Sequence, residues 1–192
     1  MRIRLAQEAA RILVESGGQD YLSAKRKAAL HLGAVDTRNM PSNSEIEEAL
    51  IEYQRLFRGD SQPQILHSLR TEAARAMEFF GEYNPKLVGP VLEGTADEHT
   101  PVTLHIFANT VEEVGLYLLR FQIPYQEAEK RLHLSGDTHE NFHCYRFMAG
   151  QHQIEVVVFL KGRSMTPLSP IDGRPMRRAS LSELKTLLEE TN

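Results

Sequence analysis

The sequence predicts an α+β fold, in which a helical N-terminal region is followed by a mixed β-sheet with helices. In the first third of the chain, apolar residues recur with the 3.6-residue period of amphipathic helices. From Gly81 onward, short runs rich in β-branched residues alternate with glycine- and proline-containing turns. We therefore expect a helical region over residues 1–62 and an α+β domain over residues 63–192.

The predicted helices come first in the chain. Residues 2–16 form one helix, which two glycines stop, and residues 20–32 form the next. A third helix lies within residues 41–57, where the Ser-x-x-Glu spacing of a capping box occurs twice near the start, at Ser42 with Glu45 and at Ser44 with Glu47. After a turn at residues 58–63, a long fourth helix with one apolar face continues to Phe80.

The predicted strands follow the long helix. The runs KLVGPVL (86–92) and PVTLHIFA (101–108) are typical of short strands, and a helix over 109–121 follows them. Thr110 with Glu113, and later Ser180 with Glu183, have the spacing of capping boxes at the starts of helices. Three more strands are predicted at residues 124–134, 142–149 and 152–160.

Composition excludes several classes of protein. A net charge of −4 argues against wholesale wrapping of nucleic acid, although local basic patches are compatible with it. No apolar run approaches the roughly 20 residues needed to span a bilayer, so we expect no membrane contact. The single cysteine, Cys144, excludes an internal disulfide framework and a multi-thiolate zinc site. A cytoplasmic location follows as an expectation, whereas the oligomeric state stays open.

One stretch, LVGPVLEGTADEHTPVTLHIF (87–107), carries a resemblance. The order helix, strand, Gly-x-x-x-x-Gly loop, strand, helix, strand resembles the core of the DNA polymerase beta-like nucleotidyltransferases. The chain also resembles uncharacterised bacterial proteins that are labelled nucleotidyltransferases. The resemblance covers roughly residues 64–160, and it implies a nucleotidyltransferase-like mixed sheet. It also implies that Gly89, Gly94 and Thr95 belong to the nucleotide-binding loop.

The catalytic positions of that superfamily are filled differently here. The superfamily has a serine after the first glycine, two carboxylates one residue apart on the second strand, and a third carboxylate on a later strand. Pro90 stands at the serine position, Pro101 and Thr103 at the paired carboxylates, and Glu155 at the third. One carboxylate cannot hold the two divalent cations that the reaction needs. The resemblance therefore implies a pseudoenzyme without metal or cofactor, acting as a nucleotide-, RNA- or protein-binding or regulatory module.

Two alternatives remain open from the sequence. The first is an active nucleotidyltransferase or hydrolase with a rearranged site, in which Asp97, His105 and Glu155 are catalytic and Mg or Mn is the cofactor. Together with His99, these residues could also form a mixed nitrogen and oxygen site suited to Zn²⁺ or Mn²⁺. The second alternative is a structural α+β interaction protein in which the glycines are only turn residues.

A basic cluster, Lys25, Arg26 and Lys27, lies on the second predicted helix. One interpretation is a contact with nucleotide phosphates or an RNA backbone. The other is a solvated helix face whose cations pair with acidic residues of the third helix. A later loop contains three more basic residues, Arg174, Arg177 and Arg178.

Overall fold

The computed structural model describes residues 1–16, 20–35, 39–57, 62–135, 138–163 and 165–190. Within these ranges the α+β class is confirmed, with N-terminal helices followed by a five-stranded mixed sheet and further helices. The chain divides into two compact units, of which the first comprises Met1–Ile65, Thr95–Thr100 and Pro170–Gly173. The second comprises Leu66–Gly94, Pro101–Ser169 and Arg174–Asn192. The predicted N-terminal region, residues 1–62, lacks the two short later segments, Thr95–Thr100 and Pro170–Gly173, that also belong to the first unit.

The first unit contains three helices, α1 (Arg2–Ser16), α2 (Tyr21–His31) and α3 (Asn43–Phe57). Fully buried small residues, among them Ala9 and Ala28, belong to one apolar cluster with larger residues of α1 and α3. This buried cluster forms the core of the unit, and its small side chains allow the helices to approach closely. The predicted stop after α1, at residues 17–18, lies outside the described residues, and so does most of the turn predicted at 58–63.

The start of α3 confirms one of the two predicted capping boxes. Ser42 Oγ accepts a hydrogen bond from the Glu45 backbone N–H at 3.1 Å, and the Glu45 carboxylate accepts one from the Ser42 N–H at 2.7 Å. Ser44 instead donates its hydroxyl to the carbonyl oxygen of Ile171 at 3.1 Å. This bond fixes the segment Pro170–Gly173 to the first unit.

The second unit contains the sheet. The boundary between the units falls within α4 (Gln62–Phe79), and the remaining helices are α5 (Pro90–Glu93), α6 (Val111–Arg120) and α7 (Leu181–Glu190). The strands are β1 (Lys86–Val88), β2 (Val102–Ala108), β3 (Gln126–Ser135), β4 (Thr138–Ala149) and β5 (His152–Leu160). Their order is β1-β2-β5-β4-β3, and β2 pairs with β5 in parallel while the other pairs are antiparallel.

The prediction of a strand through the whole of KLVGPVL was wrong. The strand β1 ends at Val88, and Pro90 to Glu93 form a short helix. Gly89 has φ 74° and ψ −160°, which breaks the extended backbone, and proline at the first helical position has its φ preset for a helix. The hairpin strand β4 begins at Thr138, earlier than predicted, because its cross-strand pairing with β3 continues to Ser135.

The two faces of the sheet have different roles. Because side chains alternate along a strand, Leu104 and Ile106 of β2 point to one face, and Thr103 and His105 to the other. The first face packs against α6 and against Phe80, whose ring lies 6.1 Å from that of Phe147. The second face combines an apolar cluster with a few polar side chains, and we call it the site face. Its buried cluster comprises Leu132, Phe142, Cys144, Val157 and Phe159.

Candidate functional site

The glycine loop of the resemblance begins where β1 ends. Gly89 has a backbone conformation that is accessible essentially only to glycine, and Gly94 ends α5 at φ 90°. Arg70 of α4 holds this loop from inside, because its guanidinium donates to the carbonyl oxygens of Val91 at 3.1 Å and Leu92 at 3.2 Å. Burial, and after it the charge of Arg177, lowers the pKa of Arg70. The loop is therefore a fixed structural element.

Thr95 and Asp97, two predicted site residues, belong to the first unit. The Thr95 carbonyl accepts a hydrogen bond from the Gln54 side-chain amide at 2.7 Å. Asp97 is only 4% exposed, and its carboxylate accepts hydrogen bonds from the His99 backbone N–H at 3.0 Å and the Thr100 hydroxyl at 2.8 Å. The carboxylate of Asp97 thus stabilises a local turn.

Glu155 lies in the centre of the site face. It stands opposite Thr103 of β2 on one side and opposite Arg146 of β4 on the other. The residue is only 3% exposed. Arg146 donates to one carboxylate oxygen, at 2.8 Å from Nε and 2.7 Å from Nη2, and Lys130 of β3 donates to the other oxygen. Both oxygens of Glu155 therefore bind side-chain cations.

These cations decide the ionisation of Glu155. Burial by itself raises the pKa of the carboxyl, but Lys130 and Arg146 outweigh burial and hold the pKa below its usual range. The carboxylate of Glu155 is therefore ionised, and the two cations compensate its negative charge. The Mg²⁺ ions of the superfamily need several free carboxylate oxygens. Thr103, which is buried, supplies at most a neutral hydroxyl, so the residues here do not fit a two-metal site.

His105 occupies the same face, two residues after Thr103, and it is 1% exposed. Its Nδ1 accepts a hydrogen bond from Arg178 Nε at 3.1 Å. Burial first, and then the charges of Arg178 and Lys130, lowers the pKa of His105 well below its usual range. The imidazole is therefore neutral, and its Nδ1 lone pair is occupied by Arg178, so it cannot serve there as a general base or metal ligand.

Arg178 is the third cation of the site face. Its guanidinium lies 4.9 Å from the centre of the Phe159 ring and 5.4 Å from that of Phe107, in cation–π geometry. Nη1 donates to the Met165 carbonyl at 3.1 Å. Nη2 is buried and has no hydrogen-bond partner among the described residues. This nitrogen is a cationic donor that a bound anion or water would satisfy.

No three side chains of His, Cys, Asp or Glu in the described part of the chain converge where a metal ion could bind. Asp97, His99, His105 and Glu155, the residues of the hypothesised metal site, form no such group. Among the described residues of the site face, the cations Lys130, Arg146 and Arg178 lie around Glu155 and His105, and the other carboxylate of this face, Glu140, pairs with Arg163. Lys130 and Arg146 keep 28% and 39% of their side chains exposed, so ligands in solution can reach them.

The sequence analysis did not predict Lys130 and Arg146 as site residues, although the alternation of residues along β3 and β4 indicates them. Along β3, Lys130 alternates in step with Ala128 and Leu132, and along β4 Arg146 alternates in step with Phe142 and Cys144. Period-two alternation therefore places both charges on the apolar face of their strands. A charged residue on the apolar face of a sheet needs a partner there, and Glu155 is that partner.

The three residues of the basic cluster, Lys25, Arg26 and Lys27, differ in exposure, so one fits the interpretation of pairing with α3 and two fit the interpretation of a ligand contact. Lys25 is half-buried, and burial lowers its pKa although the nearby Glu45 opposes this. Arg26 and Lys27 are exposed. One member of the cluster thus lies near an acidic residue of α3, and the other two are accessible to a ligand.

The three strands of the resemblance are neighbours in the second unit, because β1 pairs with β2 and β5 lies parallel beside β2. No helix in the described part of the chain combines the length and the apolar character needed to cross a membrane. A fold alone does not establish a reaction. No family model, no curated protein and no solved structure matches the chain.

Proposed function

We propose that the second unit is a catalytically degenerate nucleotidyltransferase-like module that binds the phosphate groups of a nucleotide without a divalent metal ion. The observation that supports this proposal is the state of Glu155, whose carboxylate oxygens are bonded to Lys130 and Arg146. These two cations supply the positive charge that metal ions supply in an active transferase of this superfamily.

Catalysis of the two-metal kind is incompatible with this arrangement. Transfer of a phosphoryl group needs cations that bridge the triphosphate and activate the attacking oxygen, held by carboxylates on one face. A metal ion at Glu155 would have to displace two hydrogen-bonded cations from a buried carboxylate. The module therefore binds its ligand without turning it over, as a regulatory or adaptor protein does.

Phosphate is the ligand chemistry that suits the remaining groups. Two of the three cations are arginines, whose planar guanidinium matches the oxygens of a phosphate. With His105 neutral, Lys130, Arg146 and Arg178 leave an excess of positive charge over Glu155 on the site face. The buried Nη2 of Arg178 is a donor without a hydrogen-bond partner among the described residues.

The test is a calorimetric titration of ATP and GTP into the wild type and into Arg178→Met. The expected result is binding by the wild type and a loss of about tenfold or more in the variant, because a hydrogen bond to a charged group contributes about 1.5–3 kcal/mol. Arg163→Met is the matched control, since Arg163 also lies between β5 and α7 and its guanidinium pairs with Glu140 near the start of β4. Circular dichroism verifies that both variants are folded.

Two results would contradict the proposal. Equal nucleotide affinity of the wild type and Arg178→Met would show that the site face is not the binding site. Turnover of labelled ATP with Mg²⁺ or Mn²⁺ that disappears in Glu155→Gln would show an active transferase. Binding of RNA but not of nucleotides, lost in Lys25→Ala/Lys27→Ala, would place the ligand site on α2 instead.

A further inference from the structure

A cleft lies on the opposite face of the sheet from Glu155. It is formed between α6, the start of β3 and the middle of β4, and it has a volume of about 370 Å³. This volume lies within the range of small-molecule sites. Its wall residues on the sheet side are Tyr125, Glu127, His143 and Tyr145, and on the helix side Glu112, Gly115, Leu116 and Leu119.

The aromatic wall of the cleft is built around Gly115. A Cβ atom at this position would lie 3.0 Å from the Tyr145 hydroxyl and 3.1 Å from the Tyr125 hydroxyl, so glycine leaves the room that both phenols occupy. Tyr145 donates its hydroxyl to the Val111 carbonyl at 3.1 Å. The two rings pack edge to face with their centres 5.1 Å apart. The aromatic surface is therefore held in place by α6.

The polar groups that line the cleft are two carboxylates, two phenol hydroxyls and the imidazole of His143. Burial, followed by the charge of Glu127 and then by Tyr125 and Glu112, raises the pKa of Tyr145 to about 12. Glu127 keeps 58% of its side chain exposed. His143 Nε2 lies 3.4 Å from the Glu127 carboxylate without hydrogen-bond geometry, and this buried nitrogen has no hydrogen-bond partner in the described part of the chain.

The helix side of the cleft is apolar. Leu116 is 66% exposed and Leu119 is 58% exposed, although both are large aliphatic residues. The cleft thus combines the half-buried ring of Tyr125, which packs on the buried Tyr145, with two exposed leucines, two carboxylates and the imidazole of His143. The carboxylates of Glu112 and Glu127 repel an anion, and a neutral ligand would leave them without a cationic partner in the cleft.

We propose that this cleft binds an organic cation, namely an ammonium or guanidinium group on a short apolar stem. The partly exposed ring of Tyr125 attracts a cation, the carboxylates of Glu112 and Glu127 neutralise its charge, and the leucines cover the stem. This inference does not depend on phosphate binding at the site face, because the two sites share no residue and lie on opposite faces of the sheet.

The experiment is a set of titrations monitored by amide chemical shifts and calorimetry. The probes are pentylammonium, 1-pentanol and pentanoate, which have a similar stem and differ in charge. We expect pentylammonium to bind, to shift the amides of Gly115 and Glu127, and to bind much more tightly than the other two. A peptide with one lysine between leucines, compared with free pentylammonium, distinguishes a protein side chain from a free amine as the source of the cation.

The matched variants are Glu127→Gln and Glu129→Gln. Both glutamates are exposed on β3 and point to the same face, but only Glu127 lines the cleft. We expect Glu127→Gln to weaken pentylammonium binding about fivefold, the upper end for an exposed ion pair, and Glu129→Gln to leave it unchanged. Equal binding of 1-pentanol and pentylammonium, or an equal loss in the two variants, would overturn the proposal.

Discussion

Replacement of Glu155 by glutamine tests the ion pairs of the site face. The substitution keeps the shape of the side chain but removes the charge that Lys130 and Arg146 neutralise. Breaking a buried ion pair by removing one partner costs about 3–5 kcal/mol. Since the two cations keep 28% and 39% exposure and can be hydrated, we expect a lower cost of about 2–4 kcal/mol in the free energy of unfolding at neutral pH.

The pH dependence of this cost has a defined sign. The pKa of Glu155 is lowered in the folded state, so its contribution to stability is present above the pKa of the unfolded chain, about 4.3. That contribution is lost as the pH falls through the lower, folded pKa. The difference between wild type and variant should therefore be constant above about pH 5 and shrink in more acidic solution.

Urea unfolding followed by far-ultraviolet circular dichroism, repeated over a series of pH values, measures this difference. Comparison of wild type with variant removes the contributions of other carboxyls with lowered pKa values, such as Glu8 and Glu45. An unpaired buried carboxylate would behave in the opposite way, because its removal would stabilise the protein. A more stable Glu155→Gln variant, or a difference that does not change with acid, would refute the ion-pair account.

Three other predictions concern Gly89, Gly115 and the basic cluster of α2. In the same urea assay, Gly89→Ala should cost about 1–3 kcal/mol in unfolding free energy, because φ 74° with ψ −160° is strained for alanine. Gly81→Ala is the control and should cost less than about 1 kcal/mol, because a Cβ atom at Gly81 meets no neighbouring atom and Gly81 has no positive φ. Gly115→Ala should lower the melting temperature and change the tyrosine fluorescence, because its Cβ would displace the hydroxyls of Tyr145 and Tyr125; unchanged fluorescence would contradict the packing described for the cleft. If α2 contacts RNA, Lys25→Ala/Lys27→Ala should weaken RNA binding and reduce its salt dependence, and equal binding by both proteins in a filter or calorimetric assay would exclude the cluster.

Local signals of the sequence predicted most of the helices and strands, although not α5 or the start of β4. The capping boxes at Ser42 and Ser180 appear as reciprocal hydrogen bonds, and Thr110 Oγ1 accepts a bond from the Glu113 N–H at 3.3 Å. Caps involve residues only a few positions apart, so they can be read from spacing. The run around Gly89 misled the prediction because a single backbone conformation, rather than residue propensity, decides where β1 ends.

The contacts of the candidate site depend on tertiary structure, which sequence spacing does not define. The resemblance assigned Glu155 to the third carboxylate position, and Thr103 does lie opposite it in the sheet. Its neutralisation by Lys130 requires a contact across three strands, and the bond from Arg178 to His105 requires the packing of a long loop. Asp97 lies in a polar loop, where the sequence predicts a solvated carboxylate, but Asp97 is buried in the turn that its side chain stabilises.

The metal dependence of nucleotide binding tests the central proposal most directly. ATP is titrated calorimetrically into the wild type, once in excess EDTA and once in excess Mg²⁺, with turnover followed in the same samples. The account predicts binding in EDTA with an affinity within about threefold of that in Mg²⁺, and no conversion of ATP, because Lys130, Arg146 and Arg178 supply the positive charge. Binding that requires Mg²⁺ and is accompanied by conversion of ATP would contradict it.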